Sequence, residues 1–249
     1  MIFKNRLCLS AMAGINNAEF CSKFPVGLAV LGGFSADKRS MLASKKIVWR
    51  GRREFLFEDP VNGIKEEIER FIELSDAEFA VNVRSYTDRG YIDVAEAVAD
   101  YNGIIEINAH CRQPEMMELG CGQALLFDIE RLCAIVEKTS EICTTSVKIR
   151  GGLDIDYAAL AEKLKEHGCD MLHVDAMIVG GKADLDLIRE LSGIIFTIGN
   201  NSVTSVDDAR KMIECGAELV SCARAVLRDE NFFTKLLEDE LLSQMVVLH

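Results

Sequence analysis

Proline is scarce in this chain, three in 249 residues, and positive charge is short, with 28 Lys and Arg against 40 Asp and Glu. Each scarcity removes a class of answer. So little proline, with no low-complexity tract, argues against a disordered or linker-like chain. A net charge of −12 argues against a generally basic nucleic-acid binder, because that requires cationic neutralisation of phosphates. No apolar run reaches the length of a bilayer span, and the opening MIFKNRLCLSAMAG lacks a signal-peptide core and cleavage pattern. The expectation is a soluble, cytoplasmic protein with no membrane partner. No two of the nine cysteines stand at CxxC spacing, and the four histidines make no zinc-ligand pattern with them. Neither a bound metal nor a disulfide framework is expected; thiols inside apolar segments of an intracellular chain behave as small hydrophobes.

What the chain does have is rhythm. Eight strand-like apolar runs recur: Leu7–Met12, Val26–Leu31, Phe79–Val83, Ile104–Asn108, Ser146–Ile149, Met171–Val174, Ile194–Ile198 and Leu219–Cys222. Between them lie segments of helical period, Gly63–Leu74, Ile92–Tyr101, Phe127–Glu141, Tyr157–His167, Ala183–Leu191 and Ser205–Cys215. Eight such units in one chain of this length predict a single-domain α/β fold over residues 1–249, a (β/α)8 TIM barrel, with a doubly wound open sheet as the alternative. Two stretches break the rhythm. Phe34–Phe57 reads as a helix plus a short extended insertion after strand 2, and Asn231–Leu248 as a terminal helix.

In a TIM barrel, ligands meet the C-terminal strand ends and the loops that follow. Those positions here carry Ala11, Met12, Ala13 and Gly14; Asn82 and Arg84; Asn108, His110 and Cys111; Lys148 and Arg150; His173 and Asp175; Gly199, Asn200 and Asn201; and Ala223 and Arg224. The glycine turn and arginine after strands 7 and 8 fit a phosphate group, or else a plain chain reversal with Arg224 paired to a helix carboxylate. Lys148 and Arg150 share one face of strand 5. A buried lysine needs an anion or an electron-rich ring, with Glu106 as the structural alternative. Cys111 beside His110 is either a reactive thiol or simple packing.

Taken in order, these strand ends resemble the tRNA-dihydrouridine synthase family of FMN-dependent TIM-barrel oxidoreductases. Ser10–Ile15 is similar to the family's APMAGV. Ile105–Cys111 with Gly120–Leu126 is similar to DINxGCP…GxGxALL. Ser146–Arg150 resembles TVKIR, while Ile198–Asn200 and Cys222–Ala225 resemble the closing phosphate motifs IGNG and IGRA. The resemblance implies FMN across the barrel mouth, held by Ala11, Met12, Asn82, Lys148, Asp175, Gly199, Asn200, Ala223 and Arg224, with NADPH or NADH as electron donor. It implies Cys111 as the acid opposite flavin hydride transfer, Lys148 at the flavin's electron-rich edge, and Asn108 facing a uracil-like substrate. The chain departs from the family at three places: His110-Cys111-Arg112 stands for Gly-Cys-Pro, Asp175 for a histidine, and Asn82 for a glutamine. The family's C-terminal helical, tRNA-gripping domain has no counterpart here, which suggests a divergent, single-domain, archaeal branch.

Two other functions fit the same residues. Arg84, Arg112 and Arg150, with His110, are placed to bind a small carboxylate substrate, as in a dihydroorotate dehydrogenase-like flavoenzyme. A barrel that has lost flavin and serves only to bind is the other. Finally, Lys38–Arg53 holds seven cations and no acid around Trp49. That local basic stretch is either a solvated face or a contact for tRNA.

Overall fold

In the computed structural model, which describes residues 1–249, eight parallel strands close into a barrel. They are β1 (Leu7–Leu9), β2 (Leu28–Ser35), β3 (Glu78–Arg84), β4 (Ile104–Asn108), β5 (Thr144–Arg150), β6 (Met171–Asp175), β7 (Phe196–Asn200) and β8 (Leu219–Cys222). The decisive pairing joins β1 to β8, with Leu7, Cys8 and Leu9 opposite Val220, Ser221 and Cys222. No strand edge is left, so the open sheet is excluded. No helix is long and apolar enough to cross a membrane.

Alternation along each strand sorts the side chains. Leu9, Val81, Ile107, Val147, Val174 and Val220 point outward and pack beneath the helices. The inward series begins apolar and ends charged. Ala80 is followed by Asn82 and Arg84, Ile104 by Glu106 and Asn108, and Met171 by His173 and Asp175. Ile198 likewise precedes Asn200, and Leu219 precedes Ser221. One end of the barrel is thus a dry plug, with Cys8, Leu28, Val30, Ala80, Ile104 and Met171 in contact. The other end is polar and meets the loops.

The insertion after β2 forms as expected: a helix, Lys38–Trp49, and then an extended run to Phe57. Asp37 caps the helix through the N–H groups of Arg39 and Ser40, and its other oxygen accepts from the N–H groups of Tyr86 and Thr87. The extended run is anchored by Phe55 and Phe57, whose rings lie 4.8 and 5.7 Å from that of buried Phe34. Gly14, at φ +70°, admits it: a Cβ there would fall 2.6 Å from the Arg53 Cβ.

The expected terminal helix Asn231–Leu248 is corrected. Only Phe232–Leu236 is helical; Val246–Val247 instead forms an antiparallel pair with Ile2–Phe3 outside the barrel. Two β-branched valines favour extended backbone, and the pairing seats Phe3 against Phe196 beneath the plug. The helix expected at Ile92–Tyr101 runs Asp88–Ala99, because Thr87 caps it earlier through the Gly90 N–H.

Because Phe34 anchors the insertion as well as filling core, Phe34→Ala is expected to cost about 3–5 kcal/mol in urea unfolding. It should also expose Arg52 and Arg53 to trypsin under native conditions, whereas wild type resists.

Candidate active site

The polar end of the barrel opens into a cavity of about 1230 Å³. Its floor is a chain of hydrogen bonds across β3, β4, β6, β8, β7 and the end of β1. Asn108 donates to Asn82 Oδ1 at 2.8 Å, and Asn82 Nδ2 donates to Glu106 at 2.6 Å. The second oxygen of Glu106 meets His173 Nδ1 at 2.6 Å, and His173 Nε2 lies 2.7 Å from the Ser221 hydroxyl. The Asn200 amide lies 3.2 Å from the same Nε2 and donates to the Ser10 hydroxyl at 3.0 Å. Lys148 Nζ donates to that same hydroxyl.

The charges on this floor follow from its partners. Burial works to raise the Glu106 carboxyl, but His173 and Lys148 override it and hold the group down at about 2. Burial, reinforced by Lys148, lowers His173 against the pull of Glu106. A neutral imidazole with Nδ1–H donating to Glu106 and Nε2 accepting from Ser221 and Asn200 satisfies every contact. Lys148 therefore does not pair with Glu106, the structural alternative raised by its sequence. It acts on that carboxylate through space and reaches the cavity between Ser10 and the mouth.

Cys111 sits half-buried in the cavity wall. Asn108 Oδ1 accepts the N–H groups of both His110 and Cys111, at 3.0 and 2.8 Å, so this asparagine builds the cysteine loop as well as lining the cavity. Gly122, at φ +63°, lets the next segment close over it: a Cβ there would meet the Cys111 carbonyl at 2.4 Å.

The two departures at His110 and Asp175 prove to be in contact. His110 Nε2 lies 2.5 Å from Asp175, which also takes Arg150 at 3.1 Å and the Asn201 amide at 2.6 Å. Burial, with Lys148 and Arg150 nearby, lowers His110 to about 4 despite Asp175, so the imidazole is neutral at pH 7 and donates Nε2–H to the carboxylate. Burial opposes the Asp175 charge, yet His110, Asn201 and Arg150 hold its carboxyl well below the usual range.

Of the residues expected at the phosphate end, Asn200, Ala223 and Arg224 line the cavity, as do Ala11 and Met12, which follow the neighbouring strand β1. Arg224 is exposed and has no carboxylate partner, and the N–H groups of Ala223–Val226 find no acceptor in the chain. Gly199 does not line the cavity; its Cα faces Met212, where a Cβ would sit 3.0 Å from the sulfur. Arg84 lines the cavity but is 2% exposed and paired with Glu54, so it is not a free clamp for a substrate carboxylate. Sequence reasoning passed over Glu54 and assigned no role to Ser10, His173 or Ser221. The last three share the inward register of Lys148 and could be found by period two; Glu54 carries no local signal.

This geometry can now be set beside known proteins. A model of the family described as dihydrouridine synthase matches residues 61–248. The chain belongs to that family. Membership makes it an enzyme, an oxidoreductase of the flavin-dependent class, rather than a binding barrel. An uncharacterized protein of the archaeon Methanocaldococcus jannaschii, MJ0144, is 34% identical, with 94% of each chain covered. Two solved structures of FabK from Thermotoga maritima, one of them an M276A mutant, share the fold with TM-scores of 0.59 and 0.60 (mutant) at 11% identity. The match covers 90% of this chain but spans only 60 and 62% of the FabK chains, respectively.

The floor makes the enzyme of this family acid-sensitive in a defined window. The Glu106 carboxyl lies below its unfolded value in the folded chain, so its contribution is present above about pH 4.5 and lost towards pH 2. Glu106→Gln is expected to be less stable than wild type at pH 7. The gap in melting temperature should narrow as pH falls through that window; a constant gap would contradict the assignment.

Proposed function

We propose that the protein is an FMN-dependent reductase of a uracil-like ring carried on tRNA. The observation that supports this best is convergence. A half-buried thiol, Cys111, and a buried cation, Lys148, border one cavity whose far wall offers unpaired backbone N–H groups and the unpaired Arg224.

The residues present fit FMN. The N–H groups of Ala223–Val226 and the Arg224 guanidinium suit a phosphate. Ala11 and Met12 would flank the ring system, and Asn82, Asn108 and Asn200 offer amides to its edge. Lys148 would set a fixed positive charge beside it. Asp175 would act only through the His110 and Arg150 it orients. When bound, flavin supplies a hydride, replenished by NADPH or NADH. Cys111 supplies the proton: its S–H bond breaks as a C–H bond forms on the second alkene carbon, and the electron pair stays on sulfur. Hydride and proton together saturate one C=C bond. Arg150, held at the mouth by Asp175, is placed to donate to a ring carbonyl, and His110, whose Nε2–H is given to Asp175, offers its Nδ1 to a ring N–H.

The basic stretch suits a polyanionic substrate once its internal pairs are set aside. Arg50 is bound to Glu115 and Gln113, and Arg39 lies over the Tyr86 ring. Lys45, Lys46, Arg52 and Arg53 have no carboxylate partner, and Trp49 beside them is 85% exposed. Arg52 and Arg53 reach the cavity itself. A free carboxylate substrate is the weaker reading, since two of its three candidate arginines, Arg84 and Arg150, are already paired.

Purified protein is expected to show flavin absorbance and to release FMN; a chain that neither carries nor takes up flavin would overturn the proposal. Arg224→Ala should weaken FMN binding about tenfold or more by fluorescence titration. With tRNA transcripts, Cys111→Ala should lower ring reduction by a factor on the order of 10²–10⁴ while still binding FMN. Reversing Arg52 and Arg53 to Glu should weaken tRNA binding and flatten its salt dependence by about two phosphate contacts.

A further inference from the structure

Arg84 ends the inward series of β3 and is buried in the cavity wall. A guanidinium so placed needs an anion, and the anion comes from outside the barrel strands. Glu54, whose side chain is 3% exposed, is carried in by the extended run after the Lys38–Trp49 helix. The two side chains meet fork to fork. Nη2 donates to Oε2 at 2.5 Å and Nη1 to Oε1 at 3.4 Å. Nη2 also donates to the Gly33 carbonyl at 3.1 Å. That clamp fixes the guanidinium plane, and Nη1, 3.6 Å from the Cys111 sulfur, is left directed at it. Glu54 opposes the burial penalty and keeps Arg84 more firmly protonated than a free guanidinium.

We infer that Arg84, clamped by Glu54, is the positioning residue of the Cys111 thiol, fixing the sulfur and stabilising the thiolate left after its proton is given. The inference rests on the acid role proposed for Cys111. When the S–H bond breaks, the negative charge forms on sulfur beside a cation that is permanent, almost dry and already oriented. Such an arrangement stabilises developing charge without reorganisation. Water later returns the proton to the thiolate. The same contact explains why a cavity arginine is withheld from substrate: both terminal nitrogens are engaged, Nη2 by Glu54 and Gly33, Nη1 by Glu54 and the sulfur.

A mere staple holding the insertion to the barrel would show the same ion pair, so the test must read the sulfur. Full-length protein is treated with iodoacetamide over a range of pH, and modification is followed at each cysteine by peptide mass spectrometry. The variant is Arg84→Met with Glu54→Gln, which removes both charges and leaves neither buried alone. Cys111 alkylation at pH 7 is expected to fall about tenfold, with its pH profile displaced upward. Arg84→Lys, which keeps the charge but not the fork, should be intermediate. Cys143 and Cys215, half-buried elsewhere, should be unchanged in the same samples. A folded double variant with wild-type rate and pH profile at Cys111 would overturn the inference. Should that variant not fold, Arg84→Gln with Glu54→Gln substitutes an amide pair and is read the same way. Alkylation needs neither flavin nor RNA. A slowed Cys111 in a protein that reduces no ring would sink the proposed function and leave this contact standing.

Discussion

Three buried charges in the upper barrel each depend on a partner brought from a different strand or loop. Glu106 on β4 needs His173 on β6, Asp175 on β6 needs Arg150 on β5, and Arg84 on β3 needs Glu54 from the insertion. Removing one partner from such a pair leaves an uncompensated ion in a dry place, at a cost of about 3–5 kcal/mol. The closed barrel is what makes the arrangement possible. It sets these side chains at fixed register while the apolar plug below contributes the burial that offsets their desolvation.

The departures from the family pattern at the loop after β4 and at the end of β6 are a matched pair. A histidine replaces glycine in the loop, an aspartate replaces histidine on the strand, and the two touch. The mouth therefore still carries an imidazole, moved across the cavity and held by the acid that took its place. Arg150 and Asn201 complete the exchange by satisfying the rest of that carboxylate. Neither substitution is intelligible alone, since a lone buried acid would repel an electron-rich ligand.

Much of this was legible in the sequence, because period-two alternation is a local property. The eight strands, the inward register of Lys148 and Arg150, the cysteine loop and the helix-then-extended insertion all follow from spacing that a few consecutive residues display. Long-range partners do not. Nothing near Glu54 indicates that Arg84, thirty positions later, will receive it. Nor does Val246-Val247 advertise Ile2–Phe3, and the run of apolar and acidic residues before it has the composition of a helix. The basic stretch shows the same limit from the other side. Its composition was plain, but only geometry divides Arg39 and Arg50, which are paired internally, from Arg52 and Arg53, which reach the cavity.

The floor of the cavity joins residues far apart in the chain: the Ser10 hydroxyl receives Lys148 from 138 positions away and Asn200 from 190. β1 also closes on β8, whose last residue is Cys222. A chain emerging from the ribosome can therefore form helices and adjacent strand pairs early, but it holds no cavity floor until β8 has been made. Until then its future buried ions stand in water, where they need no partners. The site forms only once β8 has been made, and a product terminated before β8 lacks it altogether.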